Sequence, residues 1–510
     1  MKPAYKIAAN TIILYFRVFI TGGISLYATR LVLDALGMED YGIYSLVAGV
    51  VAMLAFLNSA MTVSTQRYLS YYEGRKDQEK QRSIFVNSLL LHFATGVLLL
   101  LVMEVASLFL FDGFLQISSE RLYAAKVSYR MMEAAVFFSI VSVPFTASLN
   151  AHEDMFLLAL IGVLEVVLRL ISAVSVFYIL QEDRLIYYSL FNALASFVVF
   201  ACYVIICLWR YKECTFKVRK YSSRQQINEL KSFMGWNLFG SLCGVCRNQG
   251  FSVVLNLFFG VMFNAAYAIA GQLGGYFSFF SGTLSQTMNP QIMKSEGNND
   301  RKRMLRLSMT TSKLAFFLFS AIAIPCSFEI KKLLGWWLKE VPPYAEIFCV
   351  LVLAAILVNL LTVGLQSAIQ ATGKIKHYQA TVGSLLVMAL PLAFLLLWLG
   401  FPPYSILIGS IFIELIACAL RLFFLKKLAG LSLREYFNRV FKKELFPFLI
   451  ILSVSFFVTA NFSWDSRFLL TFFLSSAFFL PSVYFIGLCA DEKAMIDEML
   501  GKIMLKLKTK

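Results

Sequence analysis

The stretch from residue 41 to residue 64, YGIYSLVAGVVAMLAFLNSAMTVS, contains no charged side chain. A helix needs about 20 consecutive apolar residues to cross the hydrocarbon core of a bilayer, and this stretch is long enough. The rest of the chain is similar, because 59% of its 510 residues are hydrophobic and only 15% are charged. Soluble domains carry about 25% charged residues. The sequence therefore predicts an all-α polytopic membrane protein and excludes an ordinary cytosolic enzyme, a secreted disulfide scaffold and a disordered regulator.

Apolar runs of membrane length recur along the chain and predict about fourteen transmembrane helices. The predicted spans are residues 7–29, 41–64, 84–111, 122–148, 155–180, 186–209, 232–258, 262–287, 308–329, 344–371, 379–400, 404–425, 445–462 and 468–488. The segments between them on the predicted outer side are short, so we expect no catalytic domain there and no enzyme activity. Nine cysteines, mostly in apolar runs, and three scattered histidines predict neither a metal site nor another resident cofactor.

Lysine and arginine predict the orientation of the spans. With the N-terminus inside, one alternating set of loops and tails holds 33 of them and the other set holds 8. Because cytoplasmic loops carry the excess of positive charge, both termini are expected in the cytoplasm. The same asymmetry accounts for the net charge of +16, so binding to nucleic acid is not needed to explain it.

The chain repeats itself at an offset of 223 residues. This offset places Gly37 on Gly260 and Tyr44 on Tyr267, and it places the turn 73–77, EGRKD, on residues 296–300, EGNND. A weaker match at an offset of 220 sets residues 151–154 against 371–374. We therefore predict two parallel-related six-helix bundles followed by two C-terminal helices. Parallel repeats of this kind are expected to face each other across a cleft that opens alternately to either side.

These features predict the organisation of the whole chain. Its predicted parts are an N-terminal bundle (1–209), a cytoplasmic linker (210–231), a C-terminal bundle (232–425), a basic cytoplasmic segment (426–444), two appended helices (445–488) and a cytoplasmic tail (489–510).

Several ionisable residues fall inside predicted spans, where each costs about 2.5 kcal/mol or more on insertion scales. Those nearest the middle of their spans are Arg17, Arg130, Glu133, Glu165, Arg169, Arg247 and Glu414. The spacing of Arg130 from Glu133 and of Glu165 from Arg169 allows each pair to share a helical face, so structural ion pairs are one interpretation. The three glutamates are alternatively candidates for binding a coupling proton or sodium ion. Glu104 and Lys313 lie nearer span ends, where snorkelling to the interface is expected.

Arg17 and Arg247 have no acid within one helical turn, and they lie in the first helices of the two repeats. An arginine in a water-filled membrane cavity suits an anionic phosphate-bearing cargo, because the guanidinium matches phosphate oxygens with a planar fork of donors. We therefore predict a cationic cargo site containing Arg17 and Arg247 with the neighbouring Asn248 and Gln249. The alternative is that the two arginines pair with the remote Glu133, Glu165 or Glu414.

Residues 29–61, TRLVLDALGMEDYGIYSLVAGVVAMLAFLNSAM, and residues 368–379, AIQATGKIKHYQ, resemble bacterial polysaccharide flippases. These O-antigen and capsule-precursor exporters are part of the MATE-like multidrug/oligosaccharidyl-lipid/polysaccharide superfamily. The resemblance implies a flippase of the bacterial inner membrane that moves an undecaprenyl-diphosphate-linked oligosaccharide from the cytoplasmic to the outer leaflet. It implies a cationic central cavity that holds the diphosphate, with Arg130 and Arg169 as further candidates beside Arg17 and Arg247. It also implies the bilayer as surroundings, and polysaccharide polymerases and glycosyltransferases as partners.

The sequence is also compatible with three other functions. A multidrug or cation antiporter of the same fold would need acids to dominate its cavity, whereas the mid-span charges here are four arginines against three glutamates. A peptidoglycan lipid-precursor flippase would carry the same lipid diphosphate. A membrane glycan polymerase or ligase is the least favoured, because such enzymes need a large outer loop.

Overall fold

The computed structural model describes residues 3–52, 55–114, 117–179, 183–338, 340–464, 466–494 and 497. All regular structure in these residues is helical, which confirms the all-α prediction. The chain forms two compact units, here called the N unit (Ala9–Ser241) and the C unit (Leu242–Lys510 with Met1–Ala8). The division falls inside a long helix, ten residues after the end of the predicted linker.

The helices that begin before the division are α1 (Pro3–Ala52), α2 (Ala55–Gly74), α3 (Gln78–Phe109), α4 (Leu122–Ala151), α5 (Met155–Val176), α6 (Arg184–Arg210), α7 (Val218–Tyr221) and α8 (Arg224–Phe259). Those that follow are α9 (Val261–Gly297), α10 (Arg301–Phe328), α11 (Ile330–Trp337), α12 (Ala345–Leu360), α13 (Val363–Thr372), α14 (Lys376–Tyr378), α15 (Ser384–Val387), α16 (Ala389–Trp398), α17 (Ser405–Ala429), α18 (Leu433–Tyr436), α19 (Lys442–Asn461) and α20 (Arg467–Ser482). Single π-helical turns occur at Leu110–Phe114, Gln379–Gly383, Phe437–Phe441 and Val483–Gly487.

Ten of the described helices are long and apolar enough to cross a membrane, or eleven if α12 and α13, which meet at a 42° bend, form one broken span. Each of the fourteen predicted segments lies largely on helix. The long helices α8 and α9 are absent from the ten. The start of α8 and the end of α9 carry many polar residues, and α9 contains several glycines. The fold is that of a polytopic membrane protein.

A single glycine separates the first two spans of each repeat. Gly37 has φ 76° and ψ 174°, and Gly260 has φ 81° and ψ −171°. This region of backbone conformation is essentially restricted to glycine, because a Cβ would collide with the backbone. The two residues aligned by the 223-residue offset thus make the same tight turn without a loop.

Two further turns show the same correspondence. Lys76 and Asn299, which the offset aligns, both adopt positive φ, at 57° and 59°. The next residues, Asp77 and Asp300, cap the N-termini of α3 and α10, each side chain accepting a backbone hydrogen bond at 3.0 Å. The backbone therefore confirms the predicted repeat residue by residue at these turns.

A buried lysine of α10 bonds the segments that flank α19 and α20. Lys313 of α10 is 1% exposed, and its ammonium group donates to Glu492 at 2.5 Å and to the carbonyl of Arg439 at 3.2 Å. Thr310 donates to the same glutamate at 2.9 Å. The expectation that Lys313 snorkels to the interface is therefore wrong, because residues after α20 bring a carboxylate to it.

His152 joins three helix ends of the N unit. It lies in the turn after α4, between Glu73 at the end of α2 (3.3 Å) and Glu213 beyond α6 (2.5 Å). Its ring stacks on Tyr211 with the centroids 4.3 Å apart. Burial lowers the pKa of His152, but the hydrogen bonds and charges of the two glutamates outweigh burial and raise the pKa from 6.5 to about 9. The imidazolium is thus a charged clamp at neutral pH.

The Gly37 turn yields a stability prediction. We expect Gly37→Ala to lower stability by about 1–3 kcal/mol, the usual cost of forcing a side chain into this backbone region, and to lower the melting temperature of the purified protein in detergent. The control is Gly42→Ala, which places a Cβ in open space at a helical position without positive φ and should be neutral or slightly stabilising. Equal effects of the two substitutions would refute the backbone argument.

The His152 clamp yields a pH prediction. Because its folded-state pKa exceeds the unfolded value, its stabilisation is complete below about pH 6.5 and is lost as pH rises through about 9. We expect His152→Gln to lower the melting temperature at pH 7 but to have little effect at pH 10. His377→Gln, at an exposed position, is the control. A melting difference between wild type and His152→Gln that does not change with pH would contradict the assignment.

Candidate functional site

The C unit contains a cavity of about 670 Å³ between α8, α9, α12 and α17, within the size range of small-molecule sites. Its walls combine amide and hydroxyl side chains with small residues. The polar lining residues include Arg247, Asn248, Gln249, Ser281, Asn359 and Glu414. The structure thus brings together in one cavity the predicted residues Arg247, Asn248, Gln249 and Glu414.

Glu414 is the centre of a charge cluster beside this cavity. One of its oxygens accepts hydrogen bonds from Asn359 at 2.7 Å and from Arg421 at 2.9 Å. The other oxygen accepts from Arg247 at 3.2 Å. Arg247 is therefore paired with an acid on a distant helix, which is the alternative that the sequence left open.

The sequence interpretation missed two members of the cluster. Arg421, near the end of the predicted span 404–425, was not among the candidate site residues, yet it is 2% exposed and lies inside α17. Its position seven residues after Glu414 is two helical turns, so both side chains project from one face, and this spacing was a usable signal. Asn359 is an uncharged residue in an apolar run, and its spacing gave no indication of a role.

The cluster carries an excess of one positive charge when Glu414 is ionised, because two guanidinium groups meet one carboxylate. Arg247 donates one terminal nitrogen to Glu414, whereas its Nε is buried without a hydrogen-bond partner among the described residues. Arg421 lies behind the wall of the cavity, and Arg247 is part of the wall. Arg247 is therefore the guanidinium of this cluster that a ligand in the cavity can contact.

The glycines of α9 shape this cavity. A Cβ built on Gly271, Gly275 or Gly282 meets no atom within 4 Å, whereas one on Gly274 comes within 2.9 Å of Ile356 and Val352. All four glycines line the cavity. Three of them thus leave open volume beside the charge cluster, and one allows α12 to pack closely.

In the N unit, Arg17 of α1 lies directly against α5. Its guanidinium occupies the space that a side chain at Gly162 would need, with atoms 2.4–2.6 Å from an ideal Cβ there. Arg17 forms no ion pair within 4.0 Å in the part of the chain that the structure describes. Gly162 thus leaves space for the guanidinium of Arg17. Among the described residues, no acid neutralises the charge of this guanidinium by direct contact.

Three of the other predicted residues of the N unit, Arg130, Glu165 and Arg169, take part in ion pairs. Arg169 donates to Glu165 at 2.8 Å, which confirms that local pair. Arg130 pairs with Glu104 of α3 at 3.3 Å and not with Glu133, so the proposed i,i+3 pair is wrong. Glu133 faces the interior of the unit, is 3% exposed, and has one carboxylate oxygen without a hydrogen-bond partner in the described residues.

Comparison with known proteins identifies the fold. No family model and no curated protein matches the chain. An outward-facing multidrug resistance MATE family transporter of the MOP superfamily superposes with a TM-score of 0.72 at 15% identity, covering 84% of this chain and 97% of the other. A MOP superfamily transporter from Pyrococcus furiosus, described by the reverse polarity of its binding pocket as suggesting a different function, gives 0.69 at 16% identity and the same coverage.

These similarities establish that the chain has the MATE-type polytopic fold. Almost the whole length of each neighbour is matched, whereas about a sixth of this chain is not.

The charge cluster predicts a strong coupling between two residues. We expect Glu414→Gln to destabilise the purified protein by about 3–5 kcal/mol, because it leaves the buried Arg421 without a counter-charge. Glu414→Gln combined with Arg421→Gln should recover much of this loss, because both buried charges are then absent. Thermal unfolding in detergent measures both effects.

The control for this pair is Arg434→Gln, which removes an exposed guanidinium just beyond α17 and should change stability little. Additive effects of the two cluster substitutions would show that Arg421 and Glu414 do not stabilise each other.

Proposed function

We propose that this protein is a flippase that translocates an undecaprenyl-diphosphate-linked oligosaccharide from the cytoplasmic to the outer leaflet by alternating access. The observation that carries the proposal is Arg247, which lines a polar cavity in the C unit and has an Nε without a hydrogen-bond partner among the described residues. Guanidinium groups recognise phosphate oxygens through several charge-assisted hydrogen bonds. An arriving diphosphate can engage Arg247 while Arg421 and Asn359 continue to satisfy Glu414.

The composition of the cavity favours an anionic cargo over a cationic one. Glu414 is the only acid among the residues that line it, and two arginines and an asparagine already bond this carboxylate. A cationic drug would have to displace at least one guanidinium to reach it. A phosphate, in contrast, adds negative charge to a cluster that has an excess of positive charge.

The neutral polar residues of the cavity suit the sugars of such a cargo. Ser278, Ser281 and Ser285 follow one another at helical spacing along α9, and Asn248 and Gln249 stand on the facing α8. Hydroxyl and amide groups both donate and accept hydrogen bonds, as sugar hydroxyls require. The open volume beside the α9 glycines gives room for them.

In the N unit, Arg17 is the proposed additional phosphate contact, because its charge is not neutralised in an ion pair. Arg130 and Arg169 remain candidates only through exchange of their glutamate partners. Glu133, Glu165 and Glu414 are the proposed sites for a coupling proton or sodium ion, and Glu133 has an unpartnered oxygen available for one. The setting that we propose is the bacterial inner membrane, with both termini cytoplasmic and with polysaccharide polymerases and glycosyltransferases as partners.

A multidrug or cation antiporter is the second candidate, and it is favoured by the fold that the chain shares with a multidrug resistance MATE transporter. A peptidoglycan lipid-precursor flippase would use the same diphosphate contacts. The antiporter thus differs from the proposed flippase in the charge of its cargo. The peptidoglycan-precursor flippase differs from it in the sugars of the cargo.

The test measures the leaflet distribution of lipid-linked oligosaccharide in cells depleted of the protein and complemented with variants. We expect the oligosaccharide to accumulate on the cytoplasmic face, wild type to restore export, and Arg247→Ala to reduce export about 10–100-fold. This range corresponds to the roughly 1.5–3 kcal/mol contributed by a hydrogen bond to a charged group. Arg247→Ala should still fold, because Arg421 keeps Glu414 paired.

Arg30→Ala, at an exposed position on α1, is the matched control and should export normally. Normal export in depleted cells, in a strain without a redundant flippase, would refute the proposal. In that case efflux of a cationic dye that depends on Glu414 would establish the antiporter.

A further inference from the structure

A second cavity, of about 470 Å³, lies in the N unit between α3, the π-helical turn that follows it, and α4. It is separate from the cluster around Arg17 in its lining residues. Its polar lining consists of Glu104, Ser107, Asp112, Tyr123, Lys126 and Arg130, with Tyr129 behind them. Among these lining residues, Arg130 alone is a candidate for contact with the cargo.

The two walls of this cavity have opposite charge. Lys126 and Arg130 are four residues apart and therefore share one face of α4. Glu104 lies on α3, and Asp112 lies on the π-helical turn beyond it. Arg130 and Glu104 meet at 3.3 Å, whereas Lys126 and Asp112 form no ion pair within 4.0 Å among the described residues. The lining of the cavity thus includes one cation and one anion that are not held in ion pairs.

Exposed apolar side chains surround this cavity. Along α3, Leu101, Val105 and Leu108 are 61%, 57% and 69% exposed, and Tyr123 at the start of α4 is 73% exposed. The cavity therefore lies beside exposed apolar side chains and close to the end of α3 and the start of α4.

We propose that this cavity binds the headgroup of a zwitterionic phospholipid that carries a primary amine, such as phosphatidylethanolamine. The phosphate accepts hydrogen bonds from Lys126 and Arg130, and the ammonium group donates to Asp112 and Glu104. Ser107 and Tyr123 supply neutral hydroxyl groups beside them. The acyl chains then lie along the exposed leucine and valine side chains of α3.

The charge balance selects this headgroup chemistry over others. An anionic headgroup would satisfy Lys126 and Arg130 but would face repulsion from Asp112 and Glu104. A quaternary ammonium group carries the right charge but has no N–H to donate to a carboxylate. A phosphate with a primary amine two carbons away satisfies both walls, which matters because unpaired charges at membrane depth are costly.

The proposal is independent of the cargo, since it would hold for a flippase and for an antiporter alike. It gives Arg130 and Glu104 a role in anchoring the N unit to bilayer lipid, in place of the cargo contact considered for Arg130. The four charged side chains are exposed, so substitutions among them should leave the folded core intact.

The test is competitive lipid binding to the full-length protein. The protein is equilibrated in nanodiscs that contain equal amounts of phosphatidylethanolamine, phosphatidylcholine and phosphatidylglycerol, and the lipids retained after extraction are counted by native mass spectrometry. We expect wild type to retain phosphatidylethanolamine about fivefold over either competitor. Asp112→Asn should abolish the preference over phosphatidylglycerol, and Lys126→Gln should reduce retention of all three.

Glu120→Gln and Lys331→Gln are the matched controls, because they remove exposed charges elsewhere on loops and helix ends, and both should retain the wild-type preference. Two results would overturn the proposal. One is equal or stronger retention of phosphatidylglycerol by wild type. The other is loss of cargo transport by Lys126→Gln with phosphatidylethanolamine retention unchanged, which would assign the cavity to the cargo.

Discussion

The contact between Glu414 and its two arginines illustrates the constraint on which the rest of the structure depends. An ionised side chain away from water is costly unless another charge and further hydrogen bonds satisfy it. Glu414 meets this condition with three donors from three helices, α8, α12 and α17. Because the donors come from different helices, the same interaction that makes the carboxylate tolerable also fixes how those helices pack around the cavity.

The same constraint accounts for several other buried or membrane-depth charges in the described residues. Lys313 is almost fully buried, and a glutamate after the last helix neutralises it. Arg130 finds Glu104 on a neighbouring helix, and Arg169 finds Glu165 on its own. Arg17 and Arg247 stand apart from these, because Arg17 has no ion-pair partner in contact and Arg247 shares its acid with a second arginine. Pairing of these arginines with glutamates therefore leaves an excess of positive charge at Arg17 and Arg247. This excess is the physical basis for proposing an anionic cargo.

The fold positions these charges through small backbone devices that recur in both repeats. Gly37 and Gly260 turn the chain between consecutive long helices in a conformation that other residues rarely adopt. Glycine serves a different purpose at Gly162 and along α9, where missing side chains leave room for a guanidinium or for open cavity volume. One residue type thus provides both the turns of the scaffold and the space of the candidate sites.

Much of the architecture could be predicted from the sequence because it depends on local properties. Apolar runs predict the helices, and the constant offset of 223 residues predicts turns that the backbone confirms at Gly37 and Gly260 and at Lys76 and Asn299. The Glu165–Arg169 pair was predictable because both residues lie on one helix at a spacing of one turn. The grouping of Arg247, Asn248 and Gln249 was predictable because these residues are consecutive in the sequence.

The sequence by itself thus determined the all-α membrane fold, its internal repeat and the presence of more arginine than glutamate at mid-span. The tertiary structure decided which charge meets which. Arg247 bonds an acid 167 residues away, and Arg130 bonds Glu104 and not the nearer Glu133. Arg421 belongs to the buried cluster around Glu414. The physical reason is that periodicity specifies the face of a helix on which a side chain lies, whereas the partner opposite that face depends on how distant helices pack.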